Sequence, residues 1–593
     1  MTTMLGRTAE VSGAARLSAD GSAEVSGAAR LSADGSAEVS GAARFAADHP
    51  WDGLAYGWIV ASPVARGRLN AVFTDPAEDD DVLVVLWHGN VPHLPGAGSP
   101  EATAGAGAPS PSTPASVPGP PGFDGPEPPP LQSDRIAHRG QPVALVVADT
   151  LEGARRAARL VRWDITEERH DVVLRAIDPG PPTDIGLTPD TTHPGPPAAG
   201  TDIGLTPDTT HPGPTTPGTG IDAMSGAANP GVDVVYTTPA APDGPLEPPA
   251  TIARWDGQRL ELSASGQDPD TVAELFGLPT GHVRVIPGPG GGSGPVRPDA
   301  VLAALGAWVT GRPVQVTSPH PAGFRAPTVQ RLRISATPDG RLTAIDHTVR
   351  TATSRFRDPG VVPHGGYDVP DLTLRHRAVP LDVPPSRSAR TPGTVALECA
   401  LDELALSIGM DPLTFRERNL RGDCLRRLRA GAARFGWPDR PHGRAGEWLI
   451  GTGLAGGAHF AEVRVSTVTG EVGVTRLFGV YTARDAADAR ATRSRFLGDM
   501  VAGVSMALHE APAPDPEGGT WTDSAPGGSR IPAYPDIAWI DAAWVDGLEP
   551  SRSDIGSPAA AILNAVADAT GTRIRTLPAR LPDLLAGGTA APA

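Results

Sequence analysis

Apolar residues along the chain recur with two different periods. Leu54 to Val64 and Val82 to Trp87 read as strands, and GQPVALVVA at 140 to 148 is a short apolar run of buried-strand length. Leu151, Ala154, Ala158 and Val161 then return at helical spacing. From about 232 the order is strand (VDVVYTT), strand (TIARWDG), strand (QRLELSAS), helix from Thr271 to Phe276, strand (HVRVIP) and a Gly-rich turn. A helix follows, with Val301, Leu302, Leu305 and Trp308 on one face. Leu397, Leu401, Leu404 and Ile408 mark another helix, stopped by Gly409 and Asp411-Pro412. Leu497, Val501, Val504 and Leu508 line a third, and Ser557-Pro558 reads as the N-cap and first position of a helix ending at Gly571. Strands and helices in this mixed order predict an α+β fold.

Between these segments the pattern fails. Residues 9 to 48 hold AEVSGAARLSADGS twice and then AEVSGAARFAAD, a repeat too short and too poor in apolar side chains for a stacked solenoid. A second duplication, TDIGLTPDTTHPGP at 183 and at 201, lies in a Pro/Gly/Thr tract. A third tract, about 95 to 130, is PGAGSPEATAGAGAPSPSTPASVPGPPG and its flanks. Disorder is predicted for 1–36, 95–130 and 176–230, because such composition buries too little apolar surface to offset ordering entropy. These tracts hold much of an excess of 71 Gly and 66 Pro, about twice the roughly 12% usual for globular chains.

A formal charge of −17 repels phosphate backbones, and no Arg stripe interleaved with aromatics offsets it, so nucleic acid is excluded as a partner. All the basic residues are Arg. The absence of Lys removes Schiff-base chemistry and the lysine of a phosphate-binding loop. Cys399 and Cys424 stand in no metal-ligand spacing, so an iron–sulfur cluster would have to belong to another subunit. No metal ligands are assigned. Neither a signal-peptide core nor an apolar run near the ~20 residues of a membrane span is present, which predicts a cytoplasmic protein off the membrane.

Local motifs are weak. Gly290-Gly291-Gly292-Ser293-Gly294 follows a strand and can bring backbone amides to an anionic or pterin ligand, but it does not fit GxGxxG. Gly503-Val504-Ser505-Met506-Ala507 resembles a nucleophile elbow, yet Val504 belongs to a helical apolar face. His509-Glu510 has Ala513 where a second zinc-binding His would stand. Asp554 precedes a helix start, where the dipole favours a carboxylate.

The order of segments is more specific. AEVSGAARFAADHPWDGLAYGWIVASPVARGRL, HRGQPVALVVADTLEGARRAARLVRWDI, VVYTTPAAPDGPLEPPATIARWDG, TPGTVALECALDELALSIGMDPLTFRERN, AHFAEVRVSTVTGEVGVTRLFGVY and PAAAILNAVADATGTRIRTLP follow one another. In this order the chain resembles the molybdopterin-binding large subunit of the xanthine dehydrogenase/aldehyde oxidase family. The resemblance implies five regions: duplicated repeats (1–36), an α/β hammerhead domain (37–175), a low-complexity linker (176–230), a first molybdopterin-binding domain (231–425) and the remnant of a second (426–593).

It also implies a chemistry: oxidative hydroxylation of aldehydes or N-heterocycles at a molybdenum–molybdopterin cofactor, with electrons leaving through an iron–sulfur subunit and an FAD-binding subunit. The family's active-site Gln is matched by Gln267 in SASGQ. Its substrate-orienting Arg falls on Arg387 in RSARTPG, with Arg390 as the alternative. Its basic carboxylate falls on Asp554 in SRSDIG, and its pterin-side glycine turn on Gly290, Gly291, Gly292, Ser293 and Gly294. Ser293 replaces an aromatic residue, and Asp554 is one methylene shorter than the family's Glu. After GEWLIGTGLA the chain runs straight to AHFAEVRV, where the family inserts a long region carrying further cofactor loops. That gap predicts weak turnover or none, and keeps a non-catalytic scaffold, or the product of a decayed gene, as alternatives.

Overall fold

A computed structural model describes residues 44–73, 81–97, 127–175, 229–242, 250–287, 296–318, 324–356, 366–387, 390–483, 489–510, 512–521, 532, 536–546 and 554–587. The predicted disorder of 1–36, of most of 95–130 and of nearly all of 176–230 lies outside the described residues. Its N-terminal flank differs from expectation: Pro95–Ala97 forms a 3-10 turn whose Gly96 sits directly on the backbone of Glu274 and Leu275.

Among the described residues the α-helices are, in chain order, α1 (Leu151–Leu160), α2 (Pro269–Phe276), α3 (Pro298–Thr310), α4 (Arg390–Ser407), α5 (Pro412–Asn419), α6 (Gly422–Phe435), α7 (Ala489–Leu508), α8 (Gly556–Thr570) and α9 (Leu581–Gly587). With the strands they make an α+β fold. The GVSMA segment lies inside α7 with its residues buried, as the apolar spacing predicts.

One seven-stranded sheet runs in the order Val283–Ile286, Leu260–Ser263, Ala250–Trp255, Val314–Thr317, Ala55–Ala61, Pro142–Ala148 and Val82–Trp87. Its seam is the parallel pair Ala55↔Val314. Strands from both sides of the 176–230 tract therefore share one sheet and one apolar core, in which Leu145 and Val147 meet Leu260, Leu302 and Val316. The core does not divide where the composition does.

The second core is a four-layer stack. A four-stranded sheet (Asp371–Leu381, Leu342–Ser354, Thr328–Ala336, Gly231–Thr238) packs on α4, α4 packs on α8, and α8 packs on a five-stranded sheet. That sheet runs Gly443–Ala445, Trp448–Ala455, His459–Ser466, Val472–Ala483 and Ile540–Asp546. A helix enclosed this way must be apolar all round. In α8 every residue from Gly556 to Ala567 is buried. Gly451 and Gly453 face it from the neighbouring strand, where a Cβ would collide with the backbone of Ala561, Ala565 and Ala569. The predicted 231–425 and 426–593 regions share this core, since Val232, Leu332, Leu401, Val463, Ile562 and Leu577 belong to it together.

Candidate functional site

Two of the residues singled out from the sequence stand at or against a helix start: Gln267, which precedes α2, bonds to the start of α3, and Asp554 precedes α8. At the first, α3 begins after Arg297, with Pro298 at its first position and no side-chain cap. The Gln267 side chain is buried, and its Oε1 accepts the Arg297 amide at 3.1 Å. Among the described residues its Nε2 reaches only Ser265 O, at 3.5 Å, near the limit for a hydrogen bond. Arg297 donates through Nε to Asp299 Oδ1 at 3.0 Å and through Nη1 to Ser265 O at 3.3 Å. Asp299, 1% exposed, also accepts from Thr251 at 2.8 Å. These polar groups tie the strand that ends near Ser265 to the chain re-entering at Arg297.

At the second, α8 starts differently from the sequence expectation. Its N-cap is Ile555, not Ser557, and Asp554 Oδ1 accepts the Gly556 amide at 2.9 Å. A carboxylate beside the helix start is stabilised by the amide and by the dipole. Ser557 has a tertiary partner instead. Its Oγ lies 2.8 Å from His459 Nδ1, and His459 Nε2 lies 2.9 Å from the Tyr481 hydroxyl. Tyr481 donates its own proton to Phe496 O at 3.2 Å. His459 therefore carries its proton on Nε2, donates it to Tyr481, and accepts from Ser557 on Nδ1. Burial, aided by the positive charge of Arg427, lowers the His459 pKa to about 3, so the ring is neutral.

Beside this pair the strands Trp448–Ala455 and His459–Ser466 are joined by Gly456, Gly457 and Ala458 alone, with Ala455 paired to His459. The Gly456 amide donates to Glu398 Oε2 at 2.7 Å. Glu398 also accepts from Tyr367 at 2.9 Å and from Arg416 Nε at 3.0 Å. Arg416 is fully buried, and Asp402 approaches it at 3.6 Å on its other side. Neither cluster was foreseen. The available signal was a His on the apolar face of a strand that also carries Ala461, Val463 and Val465.

The remaining predicted residues are placed as follows. Arg387 ends the short strand Ser386–Arg387, its backbone paired with Arg325. Arg390 begins α4. Gly290, Gly291, Gly292, Ser293 and Gly294 lie outside the described residues. Gln267 lies between the strand Leu260–Ser263 and α2, whose Leu262 and Val272 belong to one core, and Asp554 precedes α8, whose residues belong to the other.

The family of molybdopterin cofactor-binding domains matches residues 210–420. Aldehyde oxidoreductase molybdenum-binding subunit PaoC of Escherichia coli (strain K12) is 32% identical over 449 residues, covering 68% of this chain and 53% of that protein. The chain belongs to the xanthine dehydrogenase/aldehyde oxidase family. Within it, the nicotine 6-hydroxylase large subunit of Paenarthrobacter nicotinovorans is 24% identical over 406 residues, 62% of this chain and 45% of that one. The fold is that of the aldehyde oxidoreductase of Desulfovibrio gigas, with TM-score 0.69 and 17% identity, covering 93% of this chain and 80% of the other. Quinoline 2-oxidoreductase of Pseudomonas putida 86 matches at TM-score 0.69 and 15% identity, over 94% and 97%. The chain spans about half the length of the Escherichia coli relative it matches.

Membership of a molybdopterin-binding family can be tested against the side chains present. On the Gln267 side they fit such a group: a buried carboxamide, its Nε2 held only by a 3.5 Å contact, precedes the glycine segment 288–295. At the 455–459 hairpin they leave no room for it. There a Cβ on Gly456 would collide with Tyr367, and one on Gly457 with Ser557, so the protein itself fills the space around the turn. No described helix is long and apolar enough to cross a membrane.

Proposed function

We propose that the chain is the molybdopterin-binding large subunit of a molybdenum hydroxylase acting on aldehydes or N-heterocycles. Sequence kinship to a molybdenum-binding subunit over 68% of the chain carries this reading. Bound molybdopterin would supply two-electron oxidation, in which a substrate C–H becomes C–OH with oxygen from water, releasing two electrons and two protons. Gln267 and the Gly290–Gly294 segment would hold the group on the α3 side. The Asp554 carboxylate would take up a proton, and Arg387 would orient the substrate. Electrons would pass to an iron–sulfur subunit and an FAD-binding subunit, because two cysteines cannot hold a four-thiolate cluster. A cytoplasmic location goes with this proposal, in keeping with two free thiols, Cys399 and Cys424.

A second reading, a subunit that holds the partners without turnover, is favoured by one observation, the filled corner between α8 and the 455–459 hairpin. Purification from the native cell decides between them. The hydroxylase reading expects both partners to co-purify and an aldehyde or hypoxanthine to reduce an artificial acceptor. Both partners without substrate-dependent reduction would select the scaffold, and a clean monomer would refute both.

A further inference from the structure

The hairpin between Ala455 and His459 holds more polar order than a surface turn needs. Ala458 is fully buried and has φ of 67°, a left-handed conformation costing a non-glycine residue about 1 kcal/mol or more. Such a residue persists only where its surroundings determine it. Here the Ala458 amide donates to Ala455 O at 3.0 Å, and its carbonyl accepts the Val480 amide at 2.9 Å. Next to it His459 bridges Ser557 on α8 and Tyr481 on the following strand, and all three side chains are nearly inaccessible. On the other side, Glu398 joins Gly456, Tyr367 and Arg416. Both ring nitrogens of His459 and both oxygens of Glu398 are engaged, as low-dielectric burial requires.

A Ser beside a His invites a nucleophilic reading. Ser557 is 1% exposed and His459 2%, and the third group is a Tyr hydroxyl instead of a carboxylate. With no access for a substrate, the pair is a structural tie.

We infer that the corner between α8 and the 455–459 hairpin is a closure made by protein alone, which folds without molybdopterin and is pinned by His459. The proposed function supplies only the identity of the group not needed there; the geometry stands without it. His459 is a positioning residue. Through Ser557 it fixes the first turn of α8, whose Gly556 amide holds Asp554.

The test uses the full chain produced in two hosts, one making molybdopterin and one unable to, with hydrogen exchange followed at the Gly456 and Ala458 amides. Equal protection in both preparations is expected. His459→Phe, which strands the Ser557 and Tyr481 hydroxyls, should speed exchange there about tenfold or more in both. His459→Gln should recover part of that protection, because its carboxamide can again reach one partner. Protection that appears only in the molybdopterin-making host would overturn the inference, as would unchanged exchange in a folded His459→Phe protein. Molybdenum assayed on the same samples reads the proposed function separately. Its absence would count against the hydroxylase and leave the closure standing, while cofactor-dependent protection would do the reverse.

Discussion

Gln267, bonded to the start of α3, and Asp554, at the start of α8, were both assigned to the active site by resemblance, and the two places use their polar groups differently. At α3, Gln267 and Arg297 tie together two chain segments that flank a glycine-rich stretch, and the Gln267 amide nitrogen keeps only a long contact. At α8, Asp554 secures its own helix and Ser557 is spent on His459. Among the described residues the Gln267 amide nitrogen has one weak contact, whereas the groups at the start of α8 are paired within the protein. What a residue matched by type can do depends on which partners its side chain already has.

Substitutions should expose this difference as a gradient. The largest loss is expected from Gly453→Val, because its side chain would strike the Ala561 and Ala565 backbone of α8. Chemical denaturation should register more than about 5 kcal/mol, or no folded protein. Glu398→Gln removes the nearer of the two carboxylates from the fully buried Arg416, leaving Asp402 at 3.6 Å, and should cost about 4 kcal/mol by the same measurement. Its counterpart at α3, Asp299→Asn, should cost less, about 3 kcal/mol, because Arg297 keeps 21% of its side chain in solvent. A larger loss for Asp299→Asn than for Glu398→Gln would reverse the comparison.

Acid should act on the α8 side. His459 is held near pKa 3 by burial, below its unfolded value of about 6.5, so below that pH the unfolded chain binds a proton that the folded chain refuses. The contribution is complete above about pH 6.5 and is lost as the pH falls toward 3, reaching about 2 kcal/mol by pH 5. The difference in stability between wild type and His459→Gln, followed from pH 7 to 5, should shrink accordingly. A constant difference would mean that His459 is not buried neutral. The smallest effect is expected from Gln267→Leu, about 1 kcal/mol, for one lost acceptor at the Arg297 amide.

Much of the fold was legible because local periodicity and burial agree. The run Val82–Trp87 is a strand with the predicted ends, and the 497–508 stripe lies in α7. What escaped depended on distant partners. Ser557 has the chemistry of an N-cap, but a His 98 positions away claims its hydroxyl and the cap moves to Ile555. Gly451 and Gly453 are poor strand formers, yet they are what lets a helix lie against the sheet. The parallel seam at Ala55 and Val314 was not legible either, since pairing across a long insertion leaves no local trace. At the candidate site, Gln267 and Asp554 were named by the resemblance alone, whereas the His459 and Glu398 clusters were hidden in apolar strand and helix patterns.

Molybdenum content per chain, measured by elemental analysis on protein purified with its partners from cells that make molybdopterin, is the most direct test of the proposed role. The hydroxylase reading predicts stoichiometric molybdenum in the complex. A complex that holds both partners firmly and contains no molybdenum would contradict it and establish the chain as a scaffold.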